Sequence, residues 1–186
     1  HSSAEITQRL LTAGANPLAT TQDGLTAAHV AATRTPEVLQ TLLEASPELA
    51  NLATPSTNGQ LTPLHLAAKK GNDAIVRVLV ESEVDVNAVN LEGQAPLHLA
   101  IEENHVTVVE ALLGAPGIMV NLTDALGLAP LHVAAHRGRG DIIDLLLTAG
   151  ADPRHSNDGS SPAQIAMGLG FTGVADRIHQ WIIRHP

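Results

Sequence analysis

Four histidines, His29, His65, His98 and His132, follow one another at 36, 33 and 34 residues, and His136 stands one helical turn after the last. Imidazole is the commonest metal ligand and general base, so the series first suggests a metal ladder. Its step argues otherwise. Elements repeated at that interval pack in layers about 10 Å apart, whereas a metal–nitrogen bond is about 2 Å. The pair His132 and His136 has the spacing of a zinc-binding H-E-x-x-H, but Val133 occupies the place of the glutamate base and no third ligand is evident. Each ring is therefore expected to bond the backbone of its own or a neighbouring turn. Gly168, Gly170 and Gly173 match the dinucleotide fingerprint G-x-G-x-x-G, which has meaning only between a strand and a helix. Here they follow a predicted helix, Pro162 to Met167, and read as the turn between two helices. Asn121 and Thr123 form a glycosylation sequon that matters only in a secreted chain. With no cysteine and no supported Ser/His/Asp arrangement, no catalytic residue, cofactor or metal is expected, and the chain reads as a non-enzyme.

The elements that carry these histidines are copies of one unit. Thr62-Pro63-Leu64-His65 recurs as Thr26-Ala27-Ala28-His29, Ala95-Pro96-Leu97-His98, Ala129-Pro130-Leu131-His132 and Ser161-Pro162-Ala163-Gln164, at steps of 36, 33, 34 and 32 residues. The run Leu145 to Pro153 is nearly copied at Leu10 to Pro17. In one unit, Thr62 can cap a helix, Pro63 costs no hydrogen bond there, and Gly71 supplies a left-handed stop, which predicts a short helix from Pro63 to Lys70. Ala67 and Ala68 allow close approach of the next layer, while Ile75, Val76, Val78, Leu79 and Val80 give the second helix a broad apolar face. Turn signals at Asp23-Gly24, Asn58-Gly59, Gly93, Gly127 and Asp158-Gly159 precede the helix starts.

A step near 33 residues carrying T-P-L-H-x-A resembles the ankyrin repeat over essentially the whole chain. The resemblance implies an all-α solenoid of stacked helix-turn-helix units with hairpin-like turns, curved so that first helices and turns line a concave side. The chain divides into a half unit at 4–17 and units at about 21–54, 55–88, 90–122, 124–154 and 156–186, all within one domain. The half unit, the second helix of an earlier repeat around Ile6 to Ala13, implies apolar surface that upstream repeats or another segment would cover. At the other end Val174, Ile178, Trp181, Ile182 and Ile183 predict a closing helix sealed by the only Trp.

Departures from the pattern predict irregularities. Ala95 and Ala129 replace the capping Thr, a loss worth about 1 kcal/mol, so their helices should start weakly. Thr33-Arg34-Thr35-Pro36 replaces a glycine turn, which shortens or bends that helix connection. The Gly59 turn carries one extra residue, and Ser46 to Thr57, with Pro47 and Pro55, predicts an irregular finger.

The chain is 44% hydrophobic yet only 1% aromatic, so its core must come from Ala, Leu, Val and Ile. Ten basic against nineteen acidic residues leave a net charge of −9, which disfavours nucleic acid and favours a protein partner with a basic or extended segment. No apolar run reaches the roughly 18 residues of a membrane span. A soluble, monomeric protein of the cytoplasm or nucleus is expected.

Positions on the repeat pattern place the candidate contact residues on turn tips and on the open face of the inner helices. They are Gln22, Asp23, Leu25 and Arg34; Asn58, Leu61, Lys69 and Lys70; Leu91, Glu92, Gln94, Glu102 and Glu103; Leu126, Leu128, His136 and Arg137; Asn157, Asp158 and Leu169. Leucines on successive tips read as a row of apolar contacts, and charge alternates from Lys69-Lys70 to Glu102-Glu103 to His136-Arg137. The reading that follows is a non-catalytic protein-binding module. The pattern around Gly24 to His29, the Arg34-to-Pro36 break and the 36-residue unit also resemble an IκB-family array, which implies inhibition of a Rel-type transcription factor. A third reading is a targeting or regulatory arm of a larger multidomain or effector protein. Asn87 and Asn121, each preceded by Val and with Leu eight residues earlier, are similar to asparagines hydroxylated in animal ankyrin proteins, against a simpler reading as turn residues bonding their own backbone.

Overall fold

The computed structural model describes residues 2–186, and these form helices, two short 3-10 segments and turns, with isolated bridges at Thr20–Thr26 and Asn157–Ser160 but no strand. A first row holds α2 (Ala27–Ala31), α4 (Pro63–Lys70), α6 (Pro96–Glu102), α8 (Pro130–His136) and α10 (Pro162–Gly168). A second row holds α1 (Ser3–Thr12), α3 (Pro36–Ala45), α5 (Asp73–Glu81), α7 (Val106–Leu113), α9 (Gly140–Thr148) and α11 (Thr172–Arg184). Within each row every helix packs on the next, and across the rows each inner helix packs on the outer helix that follows it. The result is an all-α solenoid two helices thick.

Side-chain size explains the two rows. Inner helices bury alanines such as Ala28, Ala67, Ala68, Ala100, Ala134 and Ala135, while outer helices bury Leu39, Ile75, Leu79, Val108, Leu112, Ile142 and Leu146. Small side chains let neighbouring inner helices approach, and the bulk between the rows supplies the continuous core. The capping predicted for α4 is present, since Thr62 accepts from the His65 N–H and Gly71 ends the helix at φ 73°. Among the described residues no helix is long and apolar enough to cross a membrane.

Several expectations need correction. The segment after α3 is a finger only in its second half, the exposed turn closed by the Thr54 N–H on the Leu61 carbonyl. It forms two 3-10 segments, Pro47–Asn51 and Ser56–Asn58, with Leu49, Ala50 and Thr54 buried and Leu49 part of the continuous core. The extra residue beside Gly59 is Gln60, held at φ 54°. The break at Arg34 to Pro36 shortens α2 to five residues. In α11, Val174 and Ile178 are buried and Trp181 and Ile182 pack on the core, but Ile183 is 77% exposed because it falls on the opposite face of the helix. Helix α1 buries no side chain completely, although Leu11 rests against the core.

Candidate partner-binding face

The histidine series joins the layers. The Thr62 N–H and hydroxyl both donate to His65 Nδ1, at 3.2 and 2.8 Å, and the His65 Nε2–H donates to the Gln94 carbonyl of the next unit at 2.9 Å. His29 repeats this with Thr26 and the Leu61 carbonyl, and His98 with the Ala95 N–H and the Leu128 carbonyl. The geometry requires a neutral ring with its proton on Nε2. Burial holds all four imidazoles below their usual pKa, opposed in His29, His65 and His98 by the carbonyl bonds.

His132 departs from the expectation of a backbone bond. Its ring is buried with no hydrogen-bond partner on either nitrogen and meets the edge of the His155 ring at 5.3 Å. The hairpin that follows is one residue tighter, closed between the Asn157 N–H and the Ser160 carbonyl where its counterpart closes between the Asp124 N–H and the Leu128 carbonyl. His136, one turn on, is exposed, so the two rings do not share an environment.

The tips form a second ladder. The Leu91 N–H donates to the Gly59 carbonyl, the Ala125 N–H to the Glu92 carbonyl, and the side chains of Asn58 and Asn157 to the Asp23 and Leu126 carbonyls. Glycine is required where these turns touch: at Gly93, φ 72°, a Cβ would stand 2.5 Å from the Ala125 nitrogen. Asn87 and Asn121 do not bond their own turns. The Asn87 amide donates to the Gly117 carbonyl and accepts from the Met119 N–H, and Asn121 spans Gly150 and Asp152 in the same way, so each clamps the following unit.

Two further ties escaped sequence reasoning. His105 Nε2 donates to the Lys69 carbonyl at 3.1 Å and Arg139 to the Glu102 carbonyl at 3.5 Å. The available signal was a long donor side chain at the residue before an outer helix, where Asn72 makes an ordinary cap.

The candidate contact residues separate into distinct groups. Gln22, Asp23, Arg34, Lys69, Lys70, Glu92, Glu103, His136, Arg137, Asp158 and Leu169 are exposed, as are Leu91 at 59% and Leu126 at 74%. Leu25, Asn58, Leu61, Glu102, Leu128 and Asn157 are half-buried. Gln94 is not available, at 8% exposed, because its backbone receives His65 and its own N–H donates to Asn90. The leucines are also not in one register. Leu25, Leu61 and Leu128 sit just after the tip glycines and turn inward, whereas Leu91 and Leu126 lie before them and point to solvent. Charge alternation is partly neutralised within the chain, since Arg137 pairs with Glu102 at 3.5 Å. Among the described residues, Arg34, Lys69, Lys70 and Glu103 have no ion-pair partner. A cleft of about 160 Å³ opens on this face between the tips and α4, lined by Leu61, Lys69, Leu91, Glu92 and Leu99. Leucines, one ammonium and one carboxylate line it together, an arrangement suited to holding a side chain.

Comparison with known proteins agrees with this geometry. The chain is 38% identical to the mouse B-cell lymphoma 3 protein homolog over 112 residues, which is 59% of this chain and 25% of that protein. It is 37% identical over 78 residues to mouse Rabankyrin-5, covering 38% of this chain and 7% of the relative. It is 32% identical over 118 residues to alpha-latrotoxin-Lg1a of Latrodectus geometricus, covering 63% and 9%. The matched stretch thus spans a quarter or less of each of these relatives. The family model for ankyrin repeats in three copies matches residues 1–90, 35–124 and 81–157. Two-row stacking, tip ladder and histidine ties all recur along the stretch so matched, and the chain belongs to the ankyrin-repeat family.

Proposed function

We propose that this chain is a non-catalytic recognition module that holds a partner protein against its inner helices and turn tips, with 21–54 through 156–186 as the repeating units. The observation that carries the reading is the pair of solvent-facing leucines, Leu91 and Leu126, on tips whose backbones are fixed by the neighbouring units. Apolar side chains held rigidly on an open face lose little entropy on binding and gain most from being covered. The test combines Leu91→Ser, Leu126→Ser and Glu103→Ala and measures proteins co-purifying with the chain, against Glu110→Ser on the outer row. The triple variant is expected to lose its partners while its thermal unfolding stays within about 0.5 kcal/mol of the parent. Equal capture by both variants would move the interface elsewhere.

A second reading, an IκB-like inhibitor of a Rel-type transcription factor, is favoured by the five-residue α2 that opens the 36-residue unit and by the similarity to the B-cell lymphoma 3 protein homolog. Its check is direct binding of an isolated Rel-homology domain. Absence of binding at micromolar concentration ends it.

A further inference from the structure

The charges of this chain are sorted by position, with cations along the inner helices and their exits and carboxylates on the tips (Asp23, Glu92, Asp124, Asp158) and the outer row. Arg34, Lys69, Lys70, Arg137 and Arg139 lie on the inner helices or at their exits, where the only carboxylates are Glu102 and Glu103. Half of the ten basic side chains therefore meet two of the nineteen acidic ones. The outer helices carry the reverse bias, with Glu37, Glu44, Glu81, Glu110, Asp141 and Asp176 among their exposed residues. Two helix diameters separate those carboxylates from the inner face, about 20 Å, or more than two Debye lengths at about 8 Å each. A short ligand lying along the helix exits therefore feels the local cations more than the outer-row carboxylates.

Those cations are poorly satisfied. Lys69 and Lys70 pair with no carboxylate among the described residues, Arg137 reaches Glu102 only at 3.5 Å, and the buried Arg139 Nε has no hydrogen-bond partner. Lys69 also lines the cleft together with Leu61, Leu91, Glu92 and Leu99.

Building on the recognition role above, we propose that the inner face takes an extended acidic peptide segment, with one apolar side chain seated in the cleft and carboxylates toward Lys69, Lys70 and the Arg137–Arg139 exit. The tips supply the opposite edge. Glu92 and Asp158 stand there exposed, which orients an acidic segment along the helix exits and opposes a uniformly charged strand lying across both edges. Single-stranded nucleic acid would need a series of stacking rings, and this face offers one, Phe171, at the last exit beside Gly138.

The experiment is selection of a random 12-residue peptide library on the intact chain, with amide chemical-shift mapping of the enriched peptides and affinity by fluorescence anisotropy. Enriched peptides should carry Asp or Glu around one apolar residue and shift α4, α6 and the tips. Their affinity should fall about tenfold in the Lys69→Glu, Lys70→Glu variant and severalfold between about 50 and about 300 mM NaCl. Basic or uncharged peptides mapping to the same face would overturn the charge assignment while leaving the recognition role standing. Peptides mapping to the outer row, or none enriched, would overturn both. Tighter binding of a labelled oligonucleotide than of any peptide would also remove the proposal.

Discussion

Gly93 shows how much one atom matters in this stack. It combines a left-handed backbone with contact to the Ala125 nitrogen, so a methyl group there meets both strain and backbone. Gly93→Ala should destabilise the chain by about 1–3 kcal/mol, read as a lowered urea midpoint. Gly150→Ala provides a contrast, because nothing lies within 4 Å of its Cβ position and only the positive φ resists the change. Its loss should be smaller. His65 was legible in the sequence as a residue that bonds turn backbone, since a histidine three residues after the cap position recurs in four successive units. The failure of His132 was not legible, because the carbonyl it would need belongs to a hairpin some thirty residues away. The exposure of Leu91 against Leu128 likewise turns on which side of the tip glycine each lies, two residues before Gly93 or one after Gly127, which a pattern of leucines alone conceals.

At the scale of elements, the helix ranges followed from caps, prolines and glycines because these act locally. Pro63–Lys70 is the range that Thr62, Pro63 and Gly71 dictate. The stretch from Pro47 to Asn58 was opaque for the opposite reason: its 3-10 turns are fixed by the burial of Leu49, a tertiary demand. Leu49→Ala should cost about 2–5 kcal/mol, as for other fully buried leucines, whereas a true surface finger would lose almost nothing. Chemical denaturation separates the two cases. The starts of α6 and α8 both lack a hydroxyl cap, yet they are not equivalent. His98 receives the Ala95 N–H, while Ala129 has no such acceptor in His132. Ala129→Thr is therefore expected to stabilise by up to about 1 kcal/mol, and more than Ala95→Thr, in paired melting curves.

For the whole molecule, the histidine ties make cohesion depend on acidity. Burial depresses the four imidazoles below 6.5, so in the window from their folded values up to about 6.5 the unfolded chain binds more protons than the folded one. Stability rises with pH through that window and is complete above it. Acidification from about pH 7.5 to about pH 5.5 should therefore lower the urea midpoint, and His65→Gln should reduce that slope, since Gln164 already serves the same cap in the last unit. A midpoint independent of pH across this range would contradict the assignment of neutral rings.

The two ends are held less firmly than the middle: α1 buries no complete side chain, and the junction after α8 lacks its imidazole bond. Stretched between optical-trap handles, the rod should shed its margins as two small early extensions, leaving a resistant midsection that yields in one larger rip at higher force.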